Sequence, residues 1–315
     1  GEEPRGGLGA QDLAGGGGDG GGGGGDSDVG PPPPPGAPDG GRSKKRKRAM
    51  PREEEAAYLE ALPCAAMYER SYMHRDLVSH VLWASSGYLL TASVDGHLKV
   101  WRKAPGDVEF VKHFRAHPGP VVCLCCSPDG ALAATVGADG SAKVFDVVNF
   151  DMQCMIKLPY APSCCEWCFG PGDPGAWLAV ADAASGAVGV WDASSGGGGG
   201  ADRTFEKLHR APVVCMRYNP KAGLVASVDG RGVVEYWRPS DGEPPALGEG
   251  GVSFAYKSDT DLYAVAKAKA APLSMCLSPD GEQLCVAASD GKTRVFWWRT
   301  GRLRLVLDEG PAVAG

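Results

Sequence analysis

The stretch Asp95-Gly-His-Leu-Lys-Val-Trp101 opens on a tight-turn pair and closes on a large aromatic residue. The same pattern returns later in the chain, at residues 139–145, 185–191, 231–237 and 290–296. Its glycine stands at Gly96, Gly140, Gly186, Gly232 and Gly291, so successive copies are 44, 46, 46 and 59 residues apart. Five copies at a nearly constant period predict a chain of repeated structural units.

Each copy contains the strands and turns of one antiparallel sheet. In the second copy we predict strands at residues 121–126, 131–137, 141–147 and 152–158. The turn Ser127-Pro-Asp-Gly130 joins the first two, because Pro pre-sets φ and Gly permits a positive φ. Four strands every 40 to 45 residues are typical of a β-propeller blade. The sequence therefore predicts an all-β fold, a WD-repeat propeller with about five four-stranded blades.

Blades of this kind are often braced by a buried hydrogen-bond chain of His, Ser or Thr, Asp and Trp. The candidates are His74, Thr91, Asp95 and Trp101 in the first copy, His117, Thr135 and Asp139 in the second, and His209, Ser227 and Trp237 in the fourth. The second copy has Phe145 in place of Trp, and the fourth has Arg231 in place of Asp. We therefore expect the complete chain in the first copy alone. Because the set recurs with the repeat, we interpret it as structural and predict no catalytic residue.

The beginning of the chain differs in composition from the repeats. Residues 1–66 start with long runs of Gly and Pro, which cannot bury enough apolar surface to fold, and we predict a disordered tail. A short helix is predicted near residues 52–62. We assign residues 67–308 to the propeller and residues 309–315 to a tail that departs from the repeat pattern.

A basic run lies inside the predicted tail and consists of Lys44, Lys45, Arg46, Lys47 and Arg48. Five exposed cations in a flexible segment suit the groove of an importin and predict nuclear localisation. Weak contact with RNA is the alternative interpretation of the same run, and the two are compatible.

Composition argues against several other classes of protein. The formal net charge of −6 does not favour a generally basic nucleic-acid-binding surface, and no apolar stretch approaches the roughly 18 residues of a membrane-spanning helix. Among the 11 cysteines, Cys165 and Cys168 come closest to a metal-binding pair, but no second pair follows at zinc-site spacing. We expect no metal, no cofactor, no small-molecule substrate and no membrane contact.

The repeat is stretched between Trp237 and Pro272. Insertions in propellers fall in surface loops, where partners bind, so this insert is a candidate contact surface; a loop that only covers an edge is the alternative. No feature of the sequence supplies the strand exchange that joins the last blade to the first. We therefore expect these blades to be part of a larger propeller.

Several segments outside the repeat pattern are more specific: residues 67–76, 109–115, 143–152 and 260–263. With the basic run, they resemble the family of nuclear proteins that join WD repeats to a peptidylprolyl isomerase domain. The resemblance implies a spliceosome-associated protein with an N-terminal propeller and a C-terminal cyclophilin domain that isomerises X-Pro bonds. We find no Phe-His-Arg segment of the kind that carries the cyclophilin's catalytic Arg, so no isomerase residue can be assigned here.

Three hypotheses for function follow. The first is a nuclear scaffold that binds proteins, including spliceosomal ones, on its propeller. The second is an enzyme, a proline isomerase by family, whose catalytic domain lies outside this sequence. The third is a scaffold that binds RNA through its basic run.

Overall fold

A computed structural model describes residues 56–57, 72–170, 173, 175–196, 200–308 and 310. The described part is built almost entirely from antiparallel strands, grouped into five sheets that follow one another along the chain. Each sheet contains one copy of the turn-Gly-aromatic repeat. The predicted all-β propeller with five blades is confirmed.

The strands are numbered in chain order. Blades 1 and 2 comprise β1 (Val78–Trp83), β2 (Tyr88–Ser93), β3 (His97–Ala104), β4 (Asp107–Arg115), β5 (Val121–Cys126), β6 (Leu132–Gly137), β7 (Ser141–Asp146) and β8 (Asp151–Lys157). Blades 3 and 4 comprise β9 (Pro162–Trp167), β10 (Trp177–Asp182), β11 (Val188–Asp192), β12 (Arg203–Phe205), β13 (Val213–Asn219), β14 (Leu224–Asp229) and β15 (Val234–Trp237). Blade 5 comprises β16 (Pro272–Leu277), β17 (Gln283–Ala288), β18 (Lys292–Trp297) and β19 (Leu303–Asp308).

Four of the sheets have four strands, but blade 4 has three. After β15 the chain turns back, and Arg238 N–H donates to the carbonyl of Glu243 at 3.0 Å. Pro244 and Pro245 come next and have no N–H to donate, so the returning segment cannot continue as a strand. The insert that follows contains the helix α1 (Ala264–Lys267) instead of a fourth strand.

The core lies between the blades, because each pair of neighbouring sheets shares one cluster of buried side chains. Between blades 1 and 2, for example, Leu90 and Leu98 pack with Phe145, and between blades 4 and 5, Tyr236 packs with Met275 and Phe296. Strand side chains alternate between faces, so a blade contributes to the clusters on both of its sides.

The first and last blades leave apolar side chains uncovered. Val81 and Trp83 on β1 are 65% and 51% exposed, and Leu273 on β16 is 64% exposed. Trp101, Trp167, Trp191 and Trp237 are buried. Burial in this fold thus depends on having a neighbouring blade on each side.

Residues 56 and 57 are helical and fall inside the predicted helix near 52–62. The other residues of that segment, the Gly/Pro-rich tail and the basic run lie outside the described residues.

Candidate functional site

The most complete bracing chain is in blade 4. His209 Nε2 lies 2.7 Å from Ser227 Oγ, and Trp237 Nε1–H donates to the same hydroxyl at 3.0 Å. On the other side of the imidazole, Nδ1 lies 3.5 Å from Asp229 Oδ2. That separation is an electrostatic contact rather than a well-formed hydrogen bond. All four side chains are buried.

Asp229 is the residue that sequence comparison missed. The repeat motif predicts an acidic residue at position 231, where the sequence has Arg231. The carboxylate that contacts His209 belongs to Asp229, two residues earlier in the same turn. It is anchored by the backbone N–H groups of Arg231 and Val233, each at 3.0 Å. Burial acts to raise the pKa of Asp229, but the electrostatic contact with His209 and the hydrogen bonds from these N–H groups outweigh it and hold the pKa below its usual value.

Blade 2 contains three of the four elements. His117 Nε2 lies 2.9 Å from Thr135 Oγ1, and Nδ1 lies 3.1 Å from both carboxylate oxygens of Asp139. Because a carboxylate only accepts, Nδ1 carries the proton and Nε2 accepts from the Thr135 hydroxyl. Burial lowers the pKa of His117 despite the neighbouring carboxylate, which favours a neutral imidazole.

Blade 1, where the sequence suggested the complete chain, has a broken one. His74 Nε2 lies 2.7 Å from Thr91 Oγ1, and Trp101 Nε1–H donates to that hydroxyl at 2.8 Å. Asp95, however, accepts from Ser93 and from the backbone of His97, and faces the His97 ring at 3.3 Å. The expectation of a four-residue chain in blade 1 is therefore corrected: Asp95 does not bond to His74. Blade 4 comes closest to the full set, with two hydrogen bonds and an electrostatic contact between Asp229 and His209.

The blades without a His use other residues for the same purpose. In blade 3 the hydroxyl of Tyr160 donates to the carbonyl of Val180 at 2.8 Å and accepts from Gly189 N–H at 3.1 Å. In blade 5, Arg294 is buried and pairs with Asp290 at the start of the repeat motif. Each blade thus ties its third strand to its surroundings through polar groups.

Motif lysines add a link that the sequence did not reveal. Lys99 Nζ donates to the carbonyl of Met73 at 2.8 Å, and Lys143, at the equivalent position of blade 2, donates to the carbonyl of Ala116. Both carbonyls precede a bracing His, so the lysine holds the segment that enters the blade. Lys stands three residues after the motif glycine in both copies, and this recurrence is the sequence feature from which the link could have been predicted.

A Ser-His-Asp set suggests a hydrolase, so its access to substrate matters. Ser227 and Thr135 are both completely buried, and the Ser227 hydroxyl is already engaged by Trp237. A nucleophile must reach the substrate and the structure gives these hydroxyls no opening. The geometry supports bracing and not acyl transfer.

A second titratable pair links blades 3 and 4. Glu166 accepts from Arg217 Nη1 at 3.1 Å and from Tyr218 N–H at 3.3 Å. Burial raises the pKa of Glu166 to about 7, against the opposing effect of Arg217. Glu166 lies in blade 3 and both of its partners lie in blade 4, so these hydrogen bonds join the two blades. This structural role explains why a carboxylate is buried here.

The cysteines nearby are buried thiols. Cys125 Sγ and Cys165 Sγ lie 3.4 Å apart, and Cys168 is also buried. Within the described residues, no group of three or more His, Cys, Asp or Glu side chains is arranged to hold a metal ion. In the same part of the chain, no helix is both long and apolar enough to cross a membrane.

The insert between β15 and β16 forms the largest departure from the repeat. Phe254, Leu262 and Val265 pack into the core between blades 4 and 5. Backbone hydrogen bonds of 2.8 Å, from Ser253 to Arg299 and from Asp261 to Gly301, fix it to the last turn of blade 5. On either side of β15 it leaves cavities of about 420 and 530 Å³. The insert therefore covers the core between blades 4 and 5 and also lines two surface cavities.

Five repeated sheets with braced third strands define a WD-repeat β-propeller protein. In agreement, the family model described as WD domain, G-beta repeat, matches residues 68–102 and 108–146.

Comparison with curated proteins gives a closer relationship. The chain is 45% identical over 259 residues to the human peptidylprolyl isomerase domain and WD repeat-containing protein 1, covering 82% of this chain and 39% of that protein. It is 44% identical to peptidyl-prolyl cis-trans isomerase CYP71 of Arabidopsis thaliana, over 84% of this chain and 41% of the relative. It is 35% identical to peptidyl-prolyl cis-trans isomerase 9 of Schizosaccharomyces pombe, over 84% and 42%.

The resemblance to WD-repeat proteins with an isomerase domain is confirmed by these identities. The chain spans about two-fifths of the length of the curated relatives it matches.

Proposed function

We propose that this chain is a nuclear scaffold that holds protein partners on the loops and edges of a rigid propeller. The observation that carries the proposal is the contrast between the blades and the insert. Buried polar bracing serves structure in the blades, whereas the insert presents two cavities beside an incomplete sheet. Recognition by loops on a rigid frame is the usual function of such an arrangement.

We further propose that the partners belong to the pre-mRNA splicing machinery. This step rests on the resemblance to nuclear, spliceosome-associated proteins and on the basic run that suits an importin. Proline isomerisation, which the names of the relatives indicate, is proposed for the whole protein and is assigned to none of the residues described above.

Nuclear import is the part of the proposal that can be tested on the sequence directly. We expect that changing Lys44, Lys45, Arg46, Lys47 and Arg48 together to Ala lowers the nuclear-to-cytoplasmic ratio of a tagged chain by about fivefold or more, because an importin groove needs clustered cations. The tag should be too large to enter the nucleus by diffusion, and the ratio is measured by quantitative fluorescence microscopy.

The matched control changes Lys44, Lys45 and Lys47 to Arg, which preserves the charge and should preserve import. An unchanged ratio in the Ala variant would show that the basic run does not direct localisation.

RNA binding by the same run is the second candidate function, favoured by its five adjacent cations. Phosphate contacts release counterions, so an affinity carried by this run must fall steeply as salt rises. Binding that is undetectable or insensitive to salt would remove this candidate.

A further inference from the structure

The charge at the first position of the repeat motif is reversed in blade 4. The motif begins with Asp95 in blade 1, Asp139 in blade 2 and Asp290 in blade 5, whereas blade 4 has Arg231. In blade 4 the carboxylate beside the bracing histidine belongs to Asp229, two residues earlier. Arg231 is therefore not needed for bracing, and it is exposed.

Arg231 lines a cavity of about 530 Å³ beside β15, and three separate segments of the chain form its walls. Lys207 and Arg210 come from the segment that joins blade 3 to blade 4, Arg231 comes from the motif turn, and Lys257 and Tyr263 come from the insert. Four of these five residues are cations. The fold thus brings together positive charges that lie far apart in the sequence.

The cations of this cavity outnumber its carboxylates. Lys257 pairs with Glu235, and the other carboxylate, Asp229, is buried and held by the motif turn. The other three cations form no ion pair with any described residue: Lys207, Arg210 and Arg231. Four cations against two carboxylates leave the cavity with a formal charge of +2 when His209 is counted as neutral. This excess charge attracts an anion.

Close packing fixes the walls of the cavity. Gly232, next to Arg231, lies so near the insert that an added Cβ would be 2.7 Å from Val265 Cγ1. At Gly186 in blade 3, an added Cβ would be 2.2 Å from the carbonyl oxygen of His209, in the joining segment. Because the backbone is already held in place, a ligand can bind with little further ordering of the loops.

The unpaired groups suit a phosphoryl group better than a carboxylate. The guanidinium groups of Arg210 and Arg231 each present a fork of N–H donors, and Lys207 adds a third positive charge. A phosphorylated Ser or Thr carries a charge of about −1.5 to −2 at pH 7 and has three acceptor oxygens, so it can engage all three cations. A carboxylate has a single negative charge and leaves positive charge in excess.

RNA is less well suited to this cavity. Each phosphate of an RNA strand carries one negative charge, and single-stranded nucleic acids bind along grooves that follow their backbone. Here the cations converge on one cavity instead, and Glu235 and Asp229 lie among them.

We propose that this cavity binds the phosphoryl group of a phosphorylated Ser or Thr in a partner protein. Arg210 and Arg231 donate hydrogen bonds to its terminal oxygens, and Lys207 balances the remaining charge. The phosphorylated residue lies in an exposed segment of the partner, from which its side chain reaches the cavity. This inference rests on the proposed scaffold function and specifies one kind of partner, a protein that blade 4 recognises only after a kinase has modified it.

Three pools of fluorescent peptides test the proposal on the full chain. The pools share the same degenerate flanking residues, and the central residue is phosphoserine, serine or glutamate. We expect the phosphoserine pool to bind about tenfold more tightly, or better, than either of the others in a fluorescence-polarisation titration, because only its dianion engages all three cations. An oligouridine RNA at equal concentration should not displace it.

Arg231→Asp is the most specific variant, because it restores the residue that three other copies of the motif have at this position. It should fold like the unmodified chain yet weaken binding of the phosphoserine pool by about tenfold or more, since attraction becomes repulsion. Arg210→Glu should have a similar effect from a different wall of the cavity. Arg115→Asp changes an exposed cation on β4 of blade 1 and, as the matched control, should leave binding unchanged. Circular dichroism verifies that each variant is folded.

The proposal is overturned if the phosphoserine pool binds no more tightly than the serine or glutamate pool, or if Arg231→Asp and Arg210→Glu leave its binding intact. Efficient displacement by the RNA would also overturn it and would make the cavity an RNA site. A chain that fails these tests yet still crosslinks to other proteins through its blades would retain the scaffold function. Phosphopeptide binding at this cavity by a chain that crosslinks to no protein in cells would support the site and count against that function.

Discussion

Replacing Trp237 by Ala is expected to lower the free energy of unfolding by about 3–5 kcal/mol, the usual cost of deleting a buried aromatic side chain. The indole is 1% exposed and packs on Phe205 with ring centroids 5.6 Å apart. Its loss opens a cavity between blades 3 and 4 and removes the donor to Ser227 at 3.0 Å. Urea denaturation followed by circular dichroism measures the change.

Trp83→Ala is the matched control, because the same residue type is 51% exposed on β1. Its effect should stay within about 0.5 kcal/mol, as is usual for surface substitutions. Trp237→Phe separates the two contributions, since it keeps an aromatic ring but loses the N–H, and should cost about 1–2 kcal/mol through the hydrogen bond. Similar losses for Trp83→Ala and Trp237→Ala would contradict the account of inter-blade packing.

Gly96→Ala is expected to destabilise the chain by about 3 kcal/mol or more, because strain and a backbone clash combine. Gly96 has φ +81°, and an added Cβ would lie 2.0 Å from the carbonyl oxygen of His117 and 2.6 Å from that of Gly119. These are backbone atoms of the segment that enters blade 2. His117 N–H also donates to Gly96 at 2.9 Å, so a shift there disturbs the bracing histidine as well.

The repeat supplies a control at the equivalent position of blade 2. Gly140 has φ +73°, but an added Cβ would meet nothing within 4 Å. Gly140→Ala should therefore show only the left-handed backbone penalty, about 1–2 kcal/mol. Thermal unfolding of both variants distinguishes the two contributions, and equal losses would refute the predicted clash at Gly96.

The five-blade fold was predictable because the pair of turn glycine and aromatic residue recurs five times, in four of the copies at spacings of 44 to 46 residues. Each copy must fold into a similar sheet to bury the side chains of its neighbours. The bracing residues were only partly predictable. Alignment finds residues at equal sequence positions, whereas Asp229 reaches His209 from a turn that is displaced by two residues. Conversely, Asp95 stands at the expected position, but its carboxylate accepts hydrogen bonds from Ser93 and from the backbone of His97 instead of from His74.

The insert shows a second limit of sequence reasoning. The stretched spacing before Pro272 located it, and α1 lies within it. The missing fourth strand of blade 4 could have been anticipated from Pro244 and Pro245, which cannot pair with β15. The two cavities could not, because they depend on how residues 254–263 pack against the last turn of blade 5.

The scaffold function is tested most directly by crosslinking the tagged chain in cells with an amine-reactive reagent and identifying the linked lysines by mass spectrometry. We predict links to other proteins at lysines of the blades and insert, above all Lys207 and Lys257, which line the cavity of about 530 Å³ beside β15. Crosslinks confined to Lys44, Lys45 and Lys47, or none to any other protein, would contradict the account that the propeller itself holds the partners.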